Sequence, residues 1–101
     1  MGTASYVLAG PMSGSNDAFS SSCHGAGRLM SRTQARKSID GEALKNELAA
    51  KGISVYANTP NVLSEEAPGA YKDVDEVIRL TSEAGLARPV AKLRPFCVIK
   101  G

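Results

Sequence analysis

No tryptophan occurs in the 101 residues, aromatic side chains make up only 5% of them, and there is a single histidine. The two cysteines, Cys23 and Cys97, lie far apart in sequence, and neither belongs to a CxxC pair. Two Cys and one His fall short of the four soft ligands of a closed zinc site, which argues against a complete one built by this chain alone. The acidic residues show no EF-hand spacing for a harder ion. No apolar run approaches the ~20 residues that a membrane helix needs. The first residues carry no basic segment followed by an apolar one, so no secretory signal is visible. Two reduced thiols in a cytosolic protein are then the default, with pairing of Cys23 and Cys97 left open. Charge excess is also scarce: 12 Lys and Arg against 10 Asp and Glu leave +2. That is too little to argue for nucleic acid from bulk electrostatics, so any such case rests on where the charges sit.

The composition that remains, 43% hydrophobic and 22% charged, is that of a folded chain rather than a disordered tail. The length allows one domain, and a chain of this size buries roughly 60–70% of its unfolded surface. It divides into two unlike parts. Residues 1–30 are rich in Gly, Ser and Ala and nearly free of charge. Thr3–Ala9 reads as a strand bounded by Gly2 and Gly10, Pro11–Asp17 as a turn, Ala18–Cys23 as extended, and His24–Gly27 as a loop.

From residue 31 onward the chain reads as ordinary globular α/β or α+β structure. Ser31-x-x-Gln34 matches a capping box and predicts a helix to about Ser38. Asp40 caps a second helix through Lys51, with Leu44 and Leu48 on one face and Gly52 as its stop. Glu47 and Lys51 pair at i,i+4 on its outer face. Ile53–Ala57 is a strand, and Asn58–Pro68, with two prolines, reads as loop. Asp73-x-x-Glu76 opens a third helix with Val74, Val77, Ile78 and Thr81 on one face, closed by Gly85. Arg88–Lys100 reads as a strand pushed to an edge or a bulged path by Pro89 and Pro95.

One segment, Ser20–Arg32 (SSSCHGAGRLMSR), looks built for chemistry. It sets His24 beside two glycines and ahead of Arg28, Arg32 and Arg36, spaced by four; with Arg28 just ahead of the capped helix, Arg32 and Arg36 lie on one helical face and Arg28 leads into it. A glycine loop running into a helix offers unpaired N–H groups to a phosphate, and guanidinium groups add bidentate donors. His24 then stands where a nucleophile or general base meets phosphorus. A plainer reading stays beside it: a turn histidine bonded to backbone, a solvated arginine face, and Cys23 as a small apolar filler. HGAG matches neither a P-loop nor a dinucleotide fingerprint, and no GxSxG elbow accompanies the serines.

Four stretches in order, MGTASYVLAG, SSSCHGAGRLMSR, EEAPGAYKDVDEVI and the terminal VIKG, strongly resemble the C-terminal part of RtcB-type RNA ligases, over essentially all 101 residues. The resemblance implies the C-terminal part of an α+β RtcB-like fold, mixed strands with about three short helices. It implies an enzyme that joins RNA 3′-phosphate or 2′,3′-cyclic phosphate ends to 5′-hydroxyl ends in tRNA splicing and RNA repair. In such ligases the histidine of CHGAGR, here His24, takes GMP from GTP and passes it to the RNA 3′-phosphate. By the same resemblance Gly25, Ala26 and Gly27 line the nucleotide, Ser5 and Lys100 contact the guanine, Tyr71 stacks near it, and Met1 lies at the pocket edge. Arg28 and Arg32 are assigned to RNA or nucleotide phosphates. The family's manganese is held by one Cys, one Asp and three His upstream of the matched region, so no metal ligand is assigned here. The expectation is a cytoplasmic C-terminal fragment that cannot guanylate itself, with RNA, GTP, a missing N-terminal part and accessory proteins as partners. The competing expectation is a non-catalytic phosphate- or RNA-binding or scaffold piece whose histidine is structural.

Overall fold

A computed structural model describes residues 1–12 and 17–101. Along the chain run strand β1 (Ser5–Ala9), helices α1 (Arg32–Ser38) and α2 (Gly41–Ala50), strand β2 (Ser54–Ala57) and helix α3 (Pro60–Glu65). A 3-10 turn (Pro68–Ala70), helix α4 (Val74–Glu83), and strands β3 (Arg88–Leu93) and β4 (Cys97–Lys100) follow. The mixture is α+β. It holds four α-helices among the described residues instead of about three.

The extra helix lies in Asn58–Pro68, the stretch expected to be loop. Proline is tolerated at the first helical position because its missing N–H is unpaired there anyway. Pro60 opens α3 in that way, behind Thr59, whose hydroxyl accepts from the Val62 N–H. The other helix starts follow their caps. Ser31 Oγ accepts from Gln34 N at 3.1 Å, Asp40 Oδ1 from Glu42 N at 2.9 Å, and Asp73 Oδ1 from Asp75 N at 2.9 Å. Each satisfies a donor that the helix itself leaves unpaired. Helix α2 stops at Gly52, whose φ of +79° suits glycine; its N–H bonds Ala49 O, and the Ile53 N–H bonds Leu48 O at 2.9 Å. This paired closure is the Schellman pattern, and Ile53 packs back on Leu48 as that motif favours.

Two further expectations are corrected. Ala18–Cys23 is not extended throughout: residues 17–20 form a turn, with Phe19 and Ser20 at φ of 54° and 61°. Positions 13–16 of the turn expected over Pro11–Asp17 lie outside the described residues. Arg88–Lys100 is two strands in two sheets, parted at Pro95. β3 runs antiparallel to β1, with a register shift where Leu8 faces Pro89; β4 runs parallel to β2, from Ser54 opposite Cys97 to Ala57 opposite Lys100. A proline cannot donate to a ladder, so it sits at a bulge or a break.

The main core is Leu48, Ile53, Val55 and Leu63, with Met1, Leu44, Ala57 and Val98 packed against it. Burying each large aliphatic side chain contributes about 1.5–3 kcal/mol. The β1–β3 ribbon is tied to α4 by charge: Asp75 accepts from Tyr6 Oη at 2.6 Å and from Lys92 Nζ at 2.6 Å. Helices α2 and α3 meet at Gly41, where a Cβ would run into the Pro60 carbonyl oxygen and lie 3.0 Å from Ser64 Oγ. Gly41→Ala is therefore expected to lower stability by about 1–3 kcal/mol, read as a lower urea midpoint at unchanged m. A midpoint equal to wild type would contradict this close packing.

Candidate nucleotide cleft and histidine loop

The loop Cys23–Gly27 is held at both ends. Thr81 Oγ1 donates to Val77 O at 2.7 Å, which commits its proton, so the Cys23 thiol donates to Thr81 Oγ1 at 3.3 Å. At the other end Lys72 N donates to Gly27 O at 3.0 Å, and Leu29 N to Ala70 O at 2.9 Å. Gly27 takes φ +79°, a left-handed value that a side chain would strain. Between these anchors His24 and Gly25 are exposed, and no atom stands where a Gly25 Cβ would lie. Cys23 is thus an anchor, and neighbouring His24 is presented outward.

His24 opens into a cleft of about 840 Å³. Met1, Ser5, His24, Gly25, Ala26, Tyr71 and Lys100, assigned from separate stretches of sequence, all line it. Gly27 does not line it directly; it fixes the loop's exit through Lys72. Strand pairing explains Lys100. On β4 side chains alternate, so Lys100 shares the side of Val98, which packs on the core. Pairing with Ala57 holds it as the last residue of a ladder rather than as a frayed end.

Arg28 and Arg32 do not line the cleft. All three donor positions of Arg28 are engaged: Nε with Met30 O at 3.0 Å, Nη1 with Tyr71 Oη at 2.8 Å, and Nη2 with Glu65 O at 2.6 Å. Its guanidinium also lies over the Tyr71 ring, 4.6 Å from the centroid, so that one face of the ring is taken. Arg32 and Arg36 do share a side of α1 with Arg28 at its head, and what they face is the C-terminal end of α3. Arg36 lies 3.4 Å from Glu65, and Arg32 lies 3.7 Å from both Glu65 and Glu66. A positive charge at a helix C-terminus is favoured by the dipole and by unpaired carbonyls.

Sequence reasoning missed Glu66. It accepts a 2.6 Å hydrogen bond from the Tyr71 hydroxyl and lies 3.6 Å from Arg28, 3.7 Å from Arg32 and 3.8 Å from Lys100. The Tyr71 hydrogen bond, and then the neighbouring cations, hold its carboxyl below the ordinary 4.5 against the opposing effect of burial. Burial and the same hydrogen bond push the Tyr71 phenol above its ordinary 10.0. The available signal was the adjacent Glu65–Glu66 pair, an acidic counterpart to three arginines spaced by four.

The donor set does not fit manganese. Among the described residues no three His, Cys, Asp or Glu side chains converge on one point. Cys23 faces Thr81, and Glu66 is surrounded by cations. Apolar walls, open glycine backbone, Lys72, Lys100 and an exposed imidazole are the ordinary furnishing of a small-molecule site.

The family model described as tRNA-splicing ligase RtcB matches residues 1–101. The chain belongs to the RtcB family. It is 54% identical over 101 residues to the tRNA-splicing ligase RtcB of Thermococcus kodakarensis, covering all of this chain and 21% of that protein. It is 52% identical to the tRNA-splicing ligase RtcB of Pyrococcus furiosus, covering all of this chain and 10% of that protein. It is 54% identical to the RNA-splicing ligase RtcB of Mycobacterium tuberculosis, covering all of this chain and 23% of that protein. The chain therefore spans less than a quarter of the length of these RtcB relatives. No helix among the described residues is long and apolar enough to cross a membrane.

The lowered Glu66 value sets a pH dependence. The stabilisation it reports is present above about 4.5 and is lost as pH falls through the lower folded-state value. In thermal melts taken from pH 6 downward, wild type is expected to lose stability more steeply through that window than Glu66→Gln. Parallel curves for the two proteins would count against the cluster.

Proposed function

We propose that this chain is the C-terminal part of a GTP-dependent RNA ligase. The enzyme joins RNA 3′-phosphate or 2′,3′-cyclic phosphate ends to 5′-hydroxyl ends through guanylated His24, in cytoplasmic tRNA splicing and RNA repair. The observation that carries the reading is the convergence of His24, its glycine loop, Ser5, Tyr71 and Lys100 on one cleft. Family membership supports it, since the relatives are named as RNA- or tRNA-splicing ligases.

His24 is set up as a nucleophile by what it lacks. It has no hydrogen-bond partner among the described residues and stands on a loop whose ends are fixed. An imidazole nitrogen bonds the α-phosphorus of GTP as the bond to the β-phosphate oxygen breaks and pyrophosphate leaves. The bound GMP then passes to an oxygen of the RNA 3′-phosphate as the phosphorus–nitrogen bond breaks. The 5′-hydroxyl attacks the 3′-phosphorus, loses its proton, and GMP departs. Splitting one displacement into successive easier ones is the ordinary gain of covalent catalysis. Open backbone at Gly25 and Ala26 lets phosphate oxygens approach, and a base stacks on the Tyr71 face that Arg28 leaves free. Arg32, with 64% of its side chain exposed, can turn to an RNA phosphate as it stands. Arg28 can do so only by giving up a protein acceptor. Manganese is supplied by ligands outside this chain, and we propose that the 101 residues alone do not guanylate themselves.

In the full-length protein, His24→Ala is expected to cut covalent capture of label from α-labelled GTP by about a thousandfold or more. Circular dichroism should be unchanged. Undiminished label on the variant would assign the nucleophile elsewhere and favour a structural histidine.

A further inference from the structure

Glu66 stands where three elements meet: the end of α3, the segment after the 3-10 turn that carries Tyr71, and the end of β4 that carries Lys100. As the C-cap of α3 its backbone is fixed, with Glu66 N bonded to Val62 O at 3.1 Å. Its side chain is only 19% exposed, whereas that of Lys100 is 36% exposed. An ammonium on a four-carbon stem at the end of a short strand has many rotamers, and a fixed opposite charge restricts them. The charges around Glu66 are Arg28, Arg32 and Lys100, with the Tyr71 hydroxyl as its shortest contact. Three side-chain cations converge on one carboxylate; Arg32 also pairs with Glu65, but removing Glu66 leaves Arg28 and Lys100 with no ion-pair partner among the described residues.

We infer that Glu66 is a positioning residue of the nucleotide cleft, one that holds the Lys100 ammonium and the Tyr71 ring where an incoming guanosine nucleotide meets them. It does not touch the reacting atoms; it acts through Lys100 and Tyr71. The Tyr71 hydroxyl is fixed between Arg28, which donates to it, and Glu66, which accepts a hydrogen bond from it, and the Arg28 guanidinium also lies over the ring. Lys100 has only this carboxylate as an ion-pair partner among the described residues. The inference rests on the ligase reading, because it takes the cleft to be the nucleotide site.

The test is a double-mutant cycle in the full-length protein, with GTP binding followed by titration in the presence of manganese. Glu66→Gln keeps the shape and an acceptor for Tyr71 but removes the charge. It is expected to weaken GTP binding about tenfold, yet less than about twofold when introduced on a Lys100→Met background. A purely structural role would give the same loss on both backgrounds, and equal losses overturn the inference, as does unchanged affinity in the single variant. Glu66→Asp serves if the Gln variant fails to fold: it keeps the charge with a shorter reach, and an intermediate loss of about threefold is expected. No loss in that variant likewise overturns it. Wild-type protein that binds no GTP overturns the ligase reading and this inference together. Binding with an unmoved or additive Glu66 variant overturns the inference alone.

Discussion

The guanidinium of Arg28 is the tie on which the candidate site depends. It binds the last turn of α3 through the Glu65 carbonyl, its own segment through Met30, and the cleft wall through Tyr71. A charge so enclosed is tolerated only when its donors are satisfied. Here each donor position has an oxygen acceptor, and the flat face lies on an aromatic ring. Hydrogen bonds to charged groups contribute about 1.5–3 kcal/mol each, without simple additivity. The planar fork is what allows three separate acceptors to be met at once, which a lysine does not provide. Without this tie, the exit of the histidine loop, the end of α3 and the Tyr71 ring have no common fixed point.

Much of this was legible in the residues, and the gaps have physical causes. Ser31, Asp40 and Asp73 marked helix starts because a side-chain oxygen beside unpaired N–H groups is a local signal. Gly52 and Gly85 marked ends because the left-handed closure needs them. Pro60 misled because proline both breaks a helix and opens one, and only the cap at Thr59 distinguishes the cases. Arg88–Lys100 read as one strand because its apolar pattern runs on, while its first half pairs with a strand more than 75 residues away and its second with one 43 residues away. Such pairing is tertiary and leaves no mark on local composition. The glycine loop was recognisable from its residues, and the cleft assignments came from the family likeness. What neither disclosed was that the arginine row faces Glu65 and Glu66.

The architecture leaves apolar surface and strand edges open. Phe96 and Ile99 are 82% and 78% exposed, and β3 is exposed along its length. A two-stranded sheet is marginal by itself, and bare edges invite further pairing. The radius of gyration, 15.5 Å, exceeds the roughly 13 Å of a compact chain this long. These features fit the proposal that the chain packs as part of a larger ligase. The cleft, by contrast, is assembled from residues of this chain, since β1, the histidine loop, the Tyr71 segment and β4 all border it. On the proposed reading, nucleotide binding and metal binding separate along the sequence, since among the described residues no three His, Cys, Asp or Glu side chains converge.

Adjacent residues in the loop show how one short sequence serves stability and chemistry together. Cys23 and Gly27 point their polar atoms at Thr81 and Lys72, which fixes the backbone at two places. His24 and Gly25 between them meet no such partner among the described residues. A nucleophile must keep its lone pair free, yet catalysis gains from a loop that does not wander. On the proposed reading of His24 as the nucleophile, anchors on either side of it meet both demands. A comparable division holds at Tyr71, where Arg28 and Glu66 take up the bonding capacity of the phenol oxygen while the residue borders the cleft. The weak +2 net charge conceals this, because Arg28, Arg32, Arg36 and Lys100 are paired with Glu65 and Glu66. On the proposed ligase reading, an incoming nucleotide meets Lys72 and Lys100 on the cleft wall, while Arg32 stands outside it. If Glu66 positions Lys100 and Tyr71 as proposed, selectivity there comes from geometry set by the shared carboxylate.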